Sequence, residues 1–284
     1  MIYVSTGGLK GQSAFVTAQQ FQAAGITAVE LSGGAYSPTL LEDLKTLRSV
    51  CQFQVHNYFP PAKDPYVFNL ASQDQAIRKI SIEHVKAAIR WAVELDHKRY
   101  SFHAGYLLDP DPKELGKRIA KRKLFEREAG LETFLEEVNA LAGYAREQGV
   151  ELLIENNVLS GGNYREFDGD PFLVATPGEA VQVMNNTPDN VNLLIDVAHL
   201  KVSAQTLSFD PVDMFRRCEP WIMAYHLSDN DGTRDANESI REDSWFWPYL
   251  KKDLDYYSLE IYNVEPALIR QQVTLTADFL NAVE

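Results

Sequence analysis

An α/β fold, a single (β/α)8 barrel (TIM barrel) spanning residues 1–284, is what this sequence predicts. Three observations carry that expectation. Eight short runs rich in β-branched and aromatic residues recur down the chain. Amphipathic stretches of helical period lie between them. No low-complexity linker or break in composition divides the whole. At 284 residues, 45% hydrophobic and 24% charged, the chain is long enough to bury the core such a barrel needs.

The elements alternate in order. IYVS at 2–5 is the first strand and 13–24 the first helix; TAVEL at 27–31 precedes a helix over 38–50. FQVHN at 53–57 leads to a helix over 73–95, and RYSFH at 99–103 to one over 113–148. ELLIE at 151–155 is followed by 177–186, NLLID at 192–196 by 210–218, IMAYHL at 222–227 by roughly 242–253, and YSLEI at 257–261 by 265–282. Pro38, Pro177, Pro211 and Pro266 fall near helix starts, where a missing N–H leaves no intrahelical bond unmade. A doubly wound open sheet is the alternative. It needs a glycine-rich phosphate loop after the first strand, and TGGLKGQS matches GxGxxG poorly.

Charge and composition narrow the function. With 27 Lys+Arg against 40 Asp+Glu, the formal net charge of −13 repels polyanions and opposes docking on a nucleic-acid backbone. The one strongly basic stretch, KELGKRIAKRKLFER at 113–127, reads as a solvated helix face. No run of eighteen apolar residues is present, and MIYVSTGG lacks the basic and apolar regions of a signal peptide, so a cytoplasmic location is expected. Cys51 and Cys218 fit neither a disulfide framework nor a metal knuckle and read as small buried hydrophobes.

In a parallel barrel the active site forms where strands end, so the residues at those ends carry the chemistry. Strand three ends in His56, strand four in His103, strand five in Glu155, strand six in Asp196 with His199 close behind, and strand seven in His226; strand eight carries Glu260. Taken singly, a histidine at a strand end is more often a hydrogen-bonded core residue than a ligand. The coincidence decides otherwise, because four of the six histidines fall in this set. Glu155, Asp196, His226 and Glu260 are spaced by 41, 30 and 34 residues, about one βα unit each, so consecutive strands aim them at one axial point. Three carboxylates and an imidazole suit one divalent metal, Mn, Mg, Co or Zn, with positions left for substrate oxygens.

The segments LLIENN, LLIDVAHL, YHLSDNDG and SLEIY resemble the strand-five to strand-eight signatures of the xylose isomerase-like superfamily, which includes sugar phosphate isomerases and epimerases and AP endonuclease family 2 domains. The resemblance covers essentially the whole barrel. In its epimerase branch a Glu, Asp, His, Glu set binds one divalent metal, which assigns that role to Glu155, Asp196, His226 and Glu260; His199 becomes a contact to a substrate hydroxyl. The endonuclease branch draws further zinc ligands from histidines on strands three and four, here His56 and His103, and from a D-x-H motif. That motif reads Asp235-Ala236-Asn237, without the histidine. His56 and His103 are therefore expected to touch substrate, with a second metal between them as the alternative.

The resemblance implies isomerisation or epimerisation of a sugar or sugar phosphate, with Glu155 and Glu260 as the acid and base that move a proton through an enediolate. A dehydratase or lyase of inosose type and a zinc phosphodiesterase of the endonuclease IV kind are the alternatives. Further substrate contacts are expected from Asn157 of LLIENN, from Tyr58, Phe59 and Asn69 after strand three, and from Asp229, Asp231 and Arg234 after strand seven, with Trp245 and Trp247 nearby. The expected partner is a small-molecule carbohydrate, without membrane or nucleic acid. A homo-oligomer is left open, since no helix offers a coiled-coil seam.

Overall fold

The computed structural model describes residues 1–9, 11–114 and 117–282. Eight strands close into one parallel barrel in sequence order: β1 Ile2–Ser5, β2 Ala28–Leu31, β3 Gln52–His56, β4 Arg99–His103, β5 Glu151–Glu155, β6 Val191–Asp196, β7 Ile222–Leu227 and β8 Tyr257–Leu259. Closure is made by β1, which pairs in parallel with both β2 and β8. The described helices are α1 Ala14–Ala23, α2 Leu40–Thr46, α3 Gln75–Glu94, α4 Arg127–Glu147, α5 Gly161–Phe167, α6 Pro177–Met184, α7 Val197–Leu207, α8 Val212–Cys218 and α9 Pro266–Asn281. No described helix is long and apolar enough to cross a membrane. Cys51 and Cys218 are both buried and unpaired.

The strands sort their side chains by the period of two that a pleated backbone imposes. Val29, Leu31, Phe53, Val55, Tyr100, Phe102, Leu152, Ile154, Leu193 and Ile195 belong to the main core cluster that the helices cover. The alternate positions point down the barrel axis, where Tyr3, Leu153, Leu194, Ala224 and Tyr256 form a separate buried plug. One further step of two along each strand converts plug into mouth: Leu153 leads to Glu155, Leu194 to Asp196 and Ala224 to His226. The alternation thus sets acidic and imidazole groups over an apolar floor that excludes water from below.

Two helix expectations are corrected. The basic stretch at 113–127 is not a helix face, since α4 begins only at Arg127 and Leu115 and Gly116 lie outside the described residues. Side chains take the backbone groups instead: the Ile119 N–H donates to Asn163 Oδ1 at 3.0 Å and the Ala120 N–H to Glu114 Oε1 at 2.9 Å. Ile119 anchors this loop in an apolar cluster with Val67, Tyr106, Leu108, Leu159 and Phe172. The helix expected over 242–253 is a single 3-10 turn, Trp247–Tyr249, with Pro248 at its centre. After β6 the helix expected over 210–218 is present as α8, while α7 ahead of it and α5 after β5 were not foreseen.

His84, on α3, is buried and neutral. Its Nε2 faces the Asn57 carbonyl at 2.9 Å and its Nδ1 the Tyr66 hydroxyl at 2.8 Å. Burial pulls its pKa down to about 4. A lowered pKa gives stability that is full above the unfolded value near 6.5, falls as the pH drops towards 4, and falls no further below that. Urea unfolding of the metal-free protein should therefore lose on the order of 2 kcal/mol less between pH 7.5 and 4.5 in His84→Gln than in the wild type. Identical slopes in the two proteins would remove His84 from the account.

Candidate metal centre and active site

Glu155 is the hub of the mouth. It ends β5, is fully buried, and its Oε1 lies 3.3 Å from His226 Nδ1 and 3.4 Å from His199 Nδ1. Its Oε2 lies 3.4 Å from both His56 Nε2 and His103 Nδ1. Strand pairing brings these groups together, with His103 beside Glu155 in the β4–β5 register and Asp196 beside His226 in the β6–β7 register. Asp196 also caps α7, because β6 runs straight into that helix: its Oδ1 accepts the His199 N–H at 2.7 Å while Oδ2 is left facing the mouth. Glu260, just past β8, sits 3.8 Å through Oε1 from His226 Nδ1 and accepts a hydrogen bond from Ser5 Oγ at 3.2 Å. The structure therefore brings Glu155, Asp196, His226, Glu260, His56, His103 and His199 to one place.

Several inward polar atoms have nothing to bond to. Both Glu155 oxygens, Asp196 Oδ2, His226 Nδ1 and His103 Nδ1 are buried without a hydrogen-bond partner. Buried charge that is close to its neighbours but unaligned with them is expensive, by several kcal/mol per group. A cation among Glu155, Asp196 and His226 would satisfy a Glu155 oxygen, Asp196 Oδ2 and His226 Nδ1, while His103 Nδ1 belongs to a neighbouring group with His56 and Glu155; the donor set of carboxylate oxygens and imidazole nitrogens is one that divalent metals accept. Ligand atoms of Glu155, Asp196 and His226 lie within 4.8 Å of one another, as do those of His56, His103 and Glu155, and those of Glu30, His56 and His226.

Electrostatics separates the carboxylates. Burial alone would raise Glu155, but the imidazoles of His103, His226 and His56 outweigh it and hold the carboxyl well below its usual range. Burial pushes Glu260 up to about 8, reinforced by Glu30, Glu155 and Asp196 against the pull of His226. Asp196 rises to about 6, again by burial, with Glu155 and Asp235 adding to it. His56 and His103 are each lowered to about 4 by burial. For His199 burial is overcome by Asp196 and Asp235, and for His226 by Glu30, Glu260 and Glu155, so both stand well above the ordinary value.

Of the other expected contacts, Asn157, Asp229, Phe59 and Asn69 have partners within the protein, while Asp231, Arg234 and Tyr58 are at least partly exposed. Asn157 Nδ2 donates to the carbonyls of Ala104, Gly105 and Leu173, tying three segments at the rim. Asp229 is held by Lys201 Nζ at 2.7 Å and Ser244 Oγ at 2.8 Å. Asp231 and Arg234 are exposed, and Asp231 accepts from Thr233. Tyr58 is half-buried, edge-on to Phe68. Phe59 is fully buried against Trp91, and Asn69 Nδ2 is bonded to the Tyr106 and Leu108 carbonyls, so neither is a free wall. Trp247 is buried and stacks on Phe279 of α9, while Trp245 packs against Phe215.

Glu30 at the mouth was not singled out from the sequence, and Asp235 was noted there only as the first position of the D-x-H motif. Glu30 of β2 is fully buried, 2.9 Å through Oε2 from His226 Nε2. The signal was available, since Val29 and Leu31 in TAVEL face the helices and period two sends the carboxylate between them inward. Asp235 reaches His199, its Oδ2 lying 3.3 Å from Nε2.

Residues 18–272 match the family described as xylose isomerase-like TIM barrel. The chain belongs to that family. Among solved structures it is similar to a D-tagatose 3-epimerase-like protein, with TM-score 0.73, 19% identity, and 99% of this chain and 98% of that one covered. It is also similar to a Thermus thermophilus protein soaked with ZnCl2, with TM-score 0.65, 21% identity and 98% of each chain covered. A 3-keto-D-glucoside 4-epimerase from E. coli superposes with TM-score 0.68 at 10% identity, covering 97% of this chain and 98% of that one. At these identities the likeness is one of fold. A curated relative, an uncharacterized protein of Methanocaldococcus jannaschii, is 23% identical over 186 residues, 66% of this chain; the chain spans 61% of that relative's length. Within the xylose isomerase-like barrels, then, the mouth described above is where chemistry is to be sought.

Proposed function

We propose that this xylose isomerase-like barrel is a divalent-metal-dependent isomerase or epimerase acting on a sugar or sugar phosphate. The observation that carries the reading is the pair Glu155 and Glu260, two buried carboxylates whose Oε1 atoms lie 3.3 and 3.8 Å from the same nitrogen, His226 Nδ1, at a centre whose inward polar atoms have no hydrogen-bond partner. Two carboxylates at one site can divide the work of base and acid. The sugar epimerases among its structural neighbours support the same substrate class.

Glu155, Asp196, His226 and Glu260 would hold the cation. When bound, it supplies Lewis acidity that makes a proton next to a carbonyl removable. The chain's own residues do the rest. Glu155 takes the carbon-bound proton on a carboxylate oxygen, leaving an enediolate, and Glu260 returns a proton to the other face of the same carbon for epimerisation, or to the neighbouring carbon for isomerisation. Ser5 orients Glu260 through its bond to Oε1. His199, with Nδ1 on the Asn156 carbonyl at 3.1 Å and Nε2 on Asp235, stacks beside the ring of His103, and a substrate hydroxyl would reach it by displacing Asp235 from Nε2. The apolar floor of Leu153, Leu194 and Ala224 keeps water from intercepting the enediolate.

The experiment is solvent deuterium incorporation into a panel of ketoses, ketose phosphates and inososes, using metal-stripped protein refilled with Mn2+. Metal-dependent exchange into a returned or isomerised sugar is the expected result. Exchange accompanied by loss of a β-hydroxyl would make the enzyme a dehydratase. No exchange into any panel member would sink the proposal.

A second reading is favoured by one observation, the His56, His103 and Glu155 group, whose ligand atoms also lie within 4.8 Å. A second metal there would suit a zinc phosphodiesterase. Asn237 in place of a histidine and the net charge of −13 stand against it. Two or more zinc ions per chain, with nicking of an abasic duplex, would establish this reading in place of the first.

A further inference from the structure

We propose that Glu30 is a positioning residue which, through Tyr256 and Ser101, sets the ring tautomers of His226 and His56 together, so that both imidazoles present a lone pair to the Glu155 centre. The inference rests on the cation reading above and adds to it a set of groups beneath the ligands. Glu30 on β2, Ser101 on β4 and Tyr256 just before β8 are all buried, as are both histidines.

The hydrogen-bond directions follow from counting protons. The Tyr256 hydroxyl donates its one proton to Glu30 Oε2 at 2.5 Å. Its oxygen can then only accept from Ser101 Oγ, 3.1 Å away. Ser101, having donated its one proton, accepts from His56 Nδ1 at 3.0 Å. His56 is thereby a donor at Nδ1 and carries its lone pair on Nε2, the nitrogen 3.4 Å from Glu155 Oε2. On the other side, Glu30 Oε2 accepts from His226 Nε2 at 2.9 Å, so Nδ1, 3.3 Å from Glu155 Oε1, is the nitrogen that gives up its proton and offers a lone pair when a cation binds. One buried carboxylate on β2 thus orients a ring on the adjacent β3 and another on β7 across the barrel. Carboxylates behind metal-bound histidines commonly perform this role.

The test combines Zn2+ affinity, measured by competition with a chromophoric chelator, and long-range 1H–15N spectra of 15N-histidine protein loaded with Zn2+. The wild type is expected to show His226 protonated at Nε2 and His56 at Nδ1. Glu30→Gln is expected to bind Zn2+ roughly 10- to 100-fold more weakly. Ser101→Ala, which leaves the Glu30 contact to His226 in place, should release His56 into a mixture of tautomers without altering His226. That variant decides the matter if Glu30→Gln does not fold. His56 protonated at Nε2, His226 protonated at Nδ1, unchanged His56 signals in Ser101→Ala, or Zn2+ affinity of Glu30→Gln within about twofold of the wild type would each overturn the inference while leaving the cation reading intact. Absence of Zn2+ uptake by the wild-type protein would instead remove the cation reading, and this inference with it.

Discussion

Glu155→Gln should lose proton exchange into any sugar the wild type accepts, by roughly 10²- to 10⁴-fold, the range a positioned acid or base contributes. The substitution preserves shape and removes the charge. Glu155 is buried at the end of β5 among four imidazoles, with neither oxygen hydrogen-bonded, so an amide of the same size breaks no hydrogen bond the carboxylate makes. Cooperative unfolding is expected alongside the loss, with a lowered midpoint, because the charge that faces the imidazoles of His226 and His199 is gone. Glu260→Gln provides the comparison. If Glu260 returns the proton, its variant should still wash deuterium into the substrate carbon that Glu155 deprotonates, while forming little epimer or isomer. Full turnover by Glu155→Gln would end the two-carboxylate reading, and indistinguishable behaviour of the two variants would end the division of labour between them.

Divalent metal should raise the thermal midpoint of this chain substantially, and chelation should reverse the rise. A ligand that binds only the folded state stabilises it by about 2.7 kcal/mol at a hundred times its Kd, and at roughly 2–4 °C per kcal/mol for a chain of this size that is a shift of roughly 5–10 °C. The direction follows from the unbonded atoms of Glu155, Asp196, His226 and His103, whose mutual strain a cation relieves. Asp196→Asn should abolish most of the shift, because Oδ2 faces the mouth while Oδ1 serves the α7 cap, and an asparagine can keep the cap. Differential scanning calorimetry of chelator-treated protein, with and without Mn2+, Mg2+, Co2+ and Zn2+, checks both statements. A midpoint indifferent to all four ions would contradict the site.

Much of the fold was legible because periodicity is a local property. The runs at 99–103, 151–155 and 222–227 are strands with those bounds, since alternation of two is written in the residues themselves. The extent of helices was less legible where tertiary partners intervene. Residues 117–126 have helix-compatible, charge-rich composition, yet Asn163 and Glu114 capture their backbone donors; neither partner could be read from the stretch itself. The turn at Trp247–Tyr249 is likewise held from outside, its Trp247 stacked on α9.

The residues at the mouth divide along the same line. What the sequence determined by itself was the list of groups that end strands: Glu155, Asp196 and His226 are spaced by one βα unit, and strand ends in a closed parallel barrel converge. Only the tertiary structure decided which polar groups are free to act there. Asn157 and Asp229 lie near the same ends, but their polar atoms are taken by rim carbonyls and by Lys201 and Ser244. The alternation in TAVEL points Glu30 inward, but only closure sets it behind His226. The physical reason is that chain spacing fixes which way a side chain points, whereas the availability of its atoms depends on partners far along the chain, such as Tyr256 for Glu30, which only the closed barrel brings within hydrogen-bonding distance.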